Sequence, residues 1–370
     1  MAKTVLITGG AGFIGSHLAD ELLRSGYRVR ALDTLEEQVH AGAERPPYLD
    51  PDVELVLGDV RDSDVVARAV EGVEAVFHLA ARVGVGQSMY EIAGYTGANT
   101  YGTAVLLEAL LDAQVGRLVV ASSMSVYGEG LYRDSSGAVH ESVERTSVQL
   151  ERGEWDPVGA NGEPLEPLPT PETKPPALSS IYALNKFDQE RLCLLYGSAY
   201  GVPTTALRFF NVYGPRQALS NPYTGVLAIF ASRLLNDRAP LVYEDGAQRR
   251  DFVSVHDVAR ACRLALERDE AAGQVVNVGS GGSVSVAELA EKLAALLDKD
   301  HVPEITGKAR VGDIRHCFAD ITRARELLGF EPEVALEEGM EELAEWLADQ
   351  AAVDRFDDAA VELSARGLTR

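Results

Sequence analysis

The chain has 370 residues, 46% of them hydrophobic, and a formal net charge of −23. That length and apolar content can bury a large core and favour two lobes over one. A surface so acidic repels nucleic acid and anionic lipid, which removes both as partners, and no apolar run reaches the ~18 residues of a membrane span.

Thr4–Thr8 is a short apolar run that reads as a strand. No basic region, long apolar core and small-residue cleavage site precede it, so a cytoplasmic location is expected. A glycine-rich turn follows, then an amphipathic helix over 14–24, with Ile14, Leu18, Leu22 and Leu23 on one face and Gly26 at its end. Arg28–Asp33 is a second strand. Further strands are expected at 53–57, Ala75–His78, 118–121 and 204–207, separated by helices over Ser63–Val70, 102–114 and 180–200. Strands alternating with helices predict an α/β fold with a doubly wound parallel sheet.

The second half reads differently. Helices are expected over 226–236, 255–266, 287–297, 321–328 and Leu336–Leu347, with few strands between them. Ser285 and Glu288 have the spacing of a capping box for the third. This half is a smaller, mostly helical substrate lobe at 216–350, with some segments returning to the sheet. Residues 128–176 are rich in proline, glycine and acids, and too long for an ordinary connection; they read as a lid or as partly disordered. From 351 to 370 a charged, loosely packed tail is expected. Cys193, Cys262 and Cys317 are far apart and odd in number, which fits reduced thiols better than a disulfide frame. No metal site is expected, and His78, His256 and His316 are not spaced as ligands.

Gly9, Gly12 and Gly15 form G-x-x-G-x-x-G between the first strand and the first helix. Glycine allows a sharp turn, close approach of the backbone to a pyrophosphate, and tight packing of helix on strand. The helix start then offers free N–H groups to phosphate. Phe13 and Ile14 sit inside this turn. Asp33 ends the second strand, where a carboxylate accepts from both adenosine ribose hydroxyls and repels a 2′-phosphate, so NAD is the expected cofactor rather than NADP. Asp59 and Val60 follow the third strand, where Asp59 is either an adenine contact or a plain turn residue.

Tyr182 and Lys186 form Y-x-x-x-K on one helical face. An ammonium there is expected to draw the phenol below its free value of about 10, and it can also bind the nicotinamide ribose. Together with the glycine turn, the chain resembles the extended short-chain dehydrogenase/reductase family, particularly its sugar-nucleotide epimerases and dehydratases. The resemblance runs from about residue 4 to 350. It is carried by TGGAGFIGSHL, HLAA (78–81), ANTYGT (98–103), ASSMSVYG (121–128), YALNK, LRFFNVYGPRQ (207–217), RRDFVSVHDV (249–258), VNVGSG (276–281) and RVGDIRH (310–316).

The resemblance implies a Rossmann-type NAD-binding domain from 1–127 and 177–215. It makes Ser123 a catalytic serine beside Tyr182 and Lys186, with Leu79, Ala80 and Ala81 along the cofactor. Asn99 would help place the active-site helix and Phe210 would lie near the nicotinamide. Asn211, Arg250 and Arg310 would hold a sugar-nucleotide diphosphate, and Asp313 the nucleoside ribose. Dimerisation through the helices at 102–114 and 180–200 is common in the family, so a homodimer is expected.

Dehydratases of the family carry Thr-Asp-Glu, and UDP-glucuronate decarboxylases Thr-Ser-Glu, where this chain has Ser123-Met124-Ser125. Met124 donates no proton and Ser125 is no carboxylate base, so 4-epimerisation is expected. The long separation of Ser123 from Tyr182, and the segments at 219–230 and 312–320, resemble bacterial dTDP-L-rhamnose 4-epimerases. UDP-glucose/galactose and UDP-glucuronate 4-epimerases are the alternatives. A 4-ketoreductase, a dehydratase and a non-catalytic NAD sensor are more distant ones.

Overall fold

The computed structural model describes every residue except Met1, Ala41, Ala43, Thr224 and Arg370. Its centre is a parallel sheet of seven strands: β1 (Thr4–Thr8), β2 (Arg28–Asp33), β3 (Glu54–Leu57), β4 (Ala75–His78), β5 (Arg117–Ser123), β6 (Thr204–Phe209) and β7 (Val275–Val278). The spatial order is β7-β6-β5-β4-β1-β2-β3. Every residue of β1, β4, β5 and β6 is buried, as expected for parallel strands covered on both faces. The order reverses between β1 and β4. Thr8 pairs with both Leu32 and His78 at this point, so the strand ends open side by side into a crevice.

One face of the sheet carries α1 (Phe13–Arg24) and α6 (Val255–Glu267), which meet through Leu18, Leu22, Val258 and Cys262. The other carries α2 (Ser63–Val70), α3 (Gly102–Asp112) and α4 (Ile181–Tyr200), through Val66, Leu106, Leu110 and Cys193. The start of α4 is fixed by Ser180, which accepts from the Ala183 N–H at 3.1 Å, and Gly201 ends it at φ 70°. The second lobe packs α5 (Val226–Leu235), α7 (Val286–Leu296) and α9 (Leu336–Leu347) around Phe230, Leu293 and Met340. The Ser285–Glu288 capping box is present at the start of α7. Between these lie α8 (Thr322–Leu328) and, last in the chain, α10 (Phe356–Ala365).

Three expectations are corrected. Residues 275–278 contribute a sheet strand, β7, where the sequence reading marked only a motif; their burial on both faces leaves no alternating pattern to read.

The insertion at 128–176 is ordered, and none of its residues lines the cleft. Its short strands Leu131–Arg133, Val139–His140 and Glu166–Leu168 form a small antiparallel sheet. Buried charges hold it in place: Arg145 pairs with Glu129 (3.0 Å) and Glu244 (2.6 Å), and Arg315 reaches back to Asp156 (2.7 Å).

The tail is not loose either. Phe356, Ala359 and Leu363 are buried, while Asp354 and Asp357 pair with Arg233. Partners more than a hundred residues away give those charges a structural use that local composition does not show.

Candidate active site

The turn after β1 is built for close backbone approach. Gly9 has φ +71°, and a Cβ there would stand 3.0 Å from the backbone of Ala80. At Gly15 a Cβ would stand 2.2 Å from the Gly9 carbonyl oxygen. Gly12 precedes α1 in extended conformation with no side-chain cap, so the first N–H groups of the helix face the crevice without a side-chain partner. Asp33 is fixed by the N–H groups of Ala11 (3.0 Å, to Oδ2) and Leu35 (3.0 Å, to Oδ1). A pyrophosphate cradle that any Cβ would fill, with a carboxylate at the next strand end, fits a dinucleotide with a free ribose 2′-hydroxyl.

Phe13, Ile14, Val60, Leu79, Ala80 and Ala81 line the same crevice. Asp59 lines it too, held by Arg61, whose hydrogen bond lowers the carboxyl pKa. Asn99 was expected to place the active-site helix. Instead its side chain clamps the backbone of Arg82, accepting at 2.7 Å and donating at 3.0 Å, and so fixes the loop after β4.

Ser123 at the end of β5, Tyr182 and Lys186 on α4, and Phe210 after β6 all line this one cleft, whose volume is ≈ 830 Å³. Burial pushes the Tyr182 phenol above its ordinary pKa, and the nearby Ser123 hydroxyl opposes that shift. Lys186 is not among the groups that shift the Tyr182 phenol. It is buried, its pKa is lowered to about 8 by burial, and it donates to Gln189 Oε1 at 2.8 Å. The shared helical face brings it to the cleft, but the side chain is steered by the residue one turn further on.

Gln189 is held in turn by a buried network that the sequence did not reveal. Its Nε2 lies 3.1 Å from Thr103 Oγ1 and 3.2 Å from His78 Nε2, and His78 Nδ1 lies 2.8 Å from Thr8 Oγ1. His256 pairs with Glu342 and His316 with Asp156.

Asn211, Arg250, Arg310 and Asp313 line the other end of the cleft. Arg310 and Asp313, expected to bind different parts of a ligand, bind each other at 2.8 Å, with the guanidinium 4.6 Å from the Tyr243 ring centre. Arg250 donates to the carbonyls of Arg315 (2.9 Å) and Ile314. Asn211 Oδ1, Gln217 Oε1 and Gln248 Oε1 are buried acceptors without a partner among the described residues, in side chains that line the cleft. Two of them, Gln217 and Gln248, were missed; a lone glutamine carries no signal of its own. Also missed were the turn Val85–Ser88, Tyr223 and helix α10, all on the cleft wall. Of the described residues of the insertion, none lines it.

A Rossmann-type sheet, a dinucleotide cradle with Asp33, and Ser123, Tyr182 and Lys186 in one cleft define a nicotinamide-dependent enzyme of the short-chain dehydrogenase/reductase type. The chain belongs to the NAD dependent epimerase/dehydratase family, which matches over residues 5–148 and 158–279. It is 36% identical to a dTDP-L-rhamnose 4-epimerase of Burkholderia thailandensis, over 94% of this chain and 96% of that protein. The crystal structure of a UDP-glucose 4-epimerase from Thermotoga maritima with UDP-glucose superposes with a TM-score of 0.76 at 32% identity, over 93% of this chain and 98% of that one. The Thermus thermophilus UDP-glucose 4-epimerase complex with NAD gives 0.74 at 32% identity, covering 94% and 100%. The cofactor is NAD. No described helix is long and apolar enough to cross a membrane.

Proposed function

We propose a dTDP-6-deoxyhexose such as dTDP-L-rhamnose as the substrate of this chain. The chain is an NAD-dependent sugar-nucleotide 4-epimerase. One observation carries the reaction class. The cleft brings together Ser123, Tyr182 and Lys186, while Met124 and Ser125 stand where dehydration would need a carboxylic acid and a carboxylate.

NAD+, held by the glycine turn and Asp33, would supply the acceptor and later donor of hydride. Tyr182 takes the proton of the sugar 4-hydroxyl and returns it after the sugar has turned over. Ser123, which lines the cleft with Tyr182, orients that hydroxyl and relays its proton. Lys186 holds a positive charge in a buried site, anchored through Gln189. Arg250 and Arg310 offer guanidinium groups to the diphosphate, for which Asp313 must release part of Arg310. Asn211, Gln217 and Gln248 line the cleft and add polar side chains to its wall.

The 36% identity to a dTDP-L-rhamnose 4-epimerase supports the deoxyhexose. The structural match to a UDP-glucose 4-epimerase supports a UDP-hexose as the second reading. Incubation with dTDP-, UDP- and GDP-sugars, followed by NMR for epimers, separates the two. A homodimer is part of the proposal. Tyr101 and Leu111 beside and on α3, and Leu184 and Leu195 on α4, are exposed apolar side chains that pairing of these helices would cover. Light scattering should give twice the 39.8 kDa chain mass.

A further inference from the structure

Helix α10 is not part of the sheet or of the cofactor cradle, yet Phe356, Ala359, Ala360 and Leu363 line the cleft. Both lobes hold it there. Arg238 pairs with Asp354 at 2.8 Å on the substrate-lobe side, and the Val311 N–H donates to the Leu368 carbonyl at 2.9 Å. On the cofactor side, the Arg366 guanidinium lies 4.4 Å from the centre of the Tyr90 ring. The helix therefore spans the cleft.

Leu363 marks the point that matters. A Cβ on Gly86 would stand 3.2 and 3.4 Å from its two methyl groups. Gly86 lies in the turn Val85–Ser88, and Ser88 Oγ accepts from the backbone N–H of Tyr182 at 3.1 Å. Leu363 thus packs at the end of the cleft where the tyrosine helix begins. Val85 and Met89 line the wall beside it. Polar groups nearby are already engaged. Arg82 is held by Glu36 and by Glu91 (3.0 Å), Arg366 is bonded to Glu362 (2.7 Å), and the hydroxyls of Tyr90 and Tyr223 bond each other at 2.6 Å. Among the described residues, the polar side chains named here offer neither a spare cation for a carboxylate nor an unmet side-chain donor for a hydroxyl, and the uncapped N–H groups at the start of Val85–Ser88 are the polar groups left on this wall.

We propose that Leu363, carried across the cleft by α10, is a specificity-determining residue that favours an apolar C6 methyl over a hydroxymethyl or a carboxylate. The inference rests on the 4-epimerase reading, in which the carbon at Tyr182 is C4 and its neighbour C5 bears the C6 group. An apolar wall rejects an added hydroxyl by about 10²-fold and no more.

The test compares kcat/KM for dTDP-L-rhamnose and dTDP-L-mannose, which differ only by the C6 hydroxyl, on the full chain with NAD bound. The wild-type ratio should be about 10², falling to ~10 or less in Leu363→Asn and in the milder Leu363→Thr. Leu363→Met, which keeps apolar volume, and Val361→Ser, on the exposed side of the helix at 69% exposure, should leave the ratio in place. The second polar variant keeps the test open if the first does not fold. Turnover with the same ratio in a folded polar variant overturns the proposal alone, as does equal narrowing by Val361→Ser. No epimerisation of any sugar nucleotide by NAD-loaded protein would overturn the 4-epimerase reading and this inference together.

Discussion

Replacing His78 by asparagine removes one titrating group from the middle of the sheet and leaves a polar side chain among Thr8, Thr103 and Gln189. His78 is fully buried, and burial lowers its pKa from 6.5 to about 3, with the Lys186 charge adding to the effect. The folded-state pKa is depressed, so the stabilising contribution is complete above pH 6.5 and is lost as pH falls toward 3. Over that window the unfolded chain binds one proton more than the folded chain, which gives a slope of about 1.4 kcal/mol per pH unit. At pH 5 the loss is about 2 kcal/mol, a large part of a typical total of roughly 5–15 kcal/mol. Urea unfolding from pH 7.5 to 4 measures the slope directly. His17 and His316, lowered to about 3 and about 4 by burial, steepen it in both proteins, so the difference between wild type and variant isolates His78. The variant should be shallower by one proton. Equal slopes would refute the reasoning. Because Gln189 carries Lys186, the variant should also turn over more slowly.

Three other changes have defined outcomes. Wild-type protein should bind NAD far more tightly than NADP, and Asp33→Ala should narrow the gap in calorimetry; equal affinities in the wild type would contradict the ribose role. Tyr182→Phe should lower epimerisation by roughly 10²–10⁴-fold and leave NAD bound, whereas near-normal turnover would point to another base. Arg145→Met leaves Glu129 and Glu244 without their shared partner, and should cost about 3–5 kcal/mol in urea unfolding. NAD affinity should stay the same, since the insertion lies outside the cleft.

What was legible in the sequence is what local chemistry fixes. The glycines at 9, 12 and 15 must serve a turn, Asp33 must end a strand, and Tyr182 and Lys186 must share a face. Each of those statements involves neighbours within one or two turns of chain. Most of the misreadings involve partners far along the chain. Composition made 128–176 look partly disordered, but Arg145 and Arg315 turn its acids into ion pairs with residues up to 159 positions away. Asp354 and Asp357 made the C-terminus look solvated, and Arg233 and Arg238 bury their role. Lys186 was assigned to Tyr182 by spacing, yet Gln189 and its buried network decide where the ammonium points. Gln217 and Gln248 became visible only as buried oxygens without partners among the described residues.

The central claim is that Tyr182, Ser123 and Lys186 serve hydride transfer at C4, with no proton removed from carbon. Its most direct test is a substrate carrying deuterium at C4, incubated with the NAD-loaded protein in ordinary water, with a parallel reaction of unlabelled substrate in heavy water. The account predicts that the stereochemistry at C4 inverts while the label is retained. It also predicts that no deuterium from solvent enters a carbon position, and that no reductant is needed. Carbon-bound deuterium at C3 or C5, or a product lighter by one water, would contradict it.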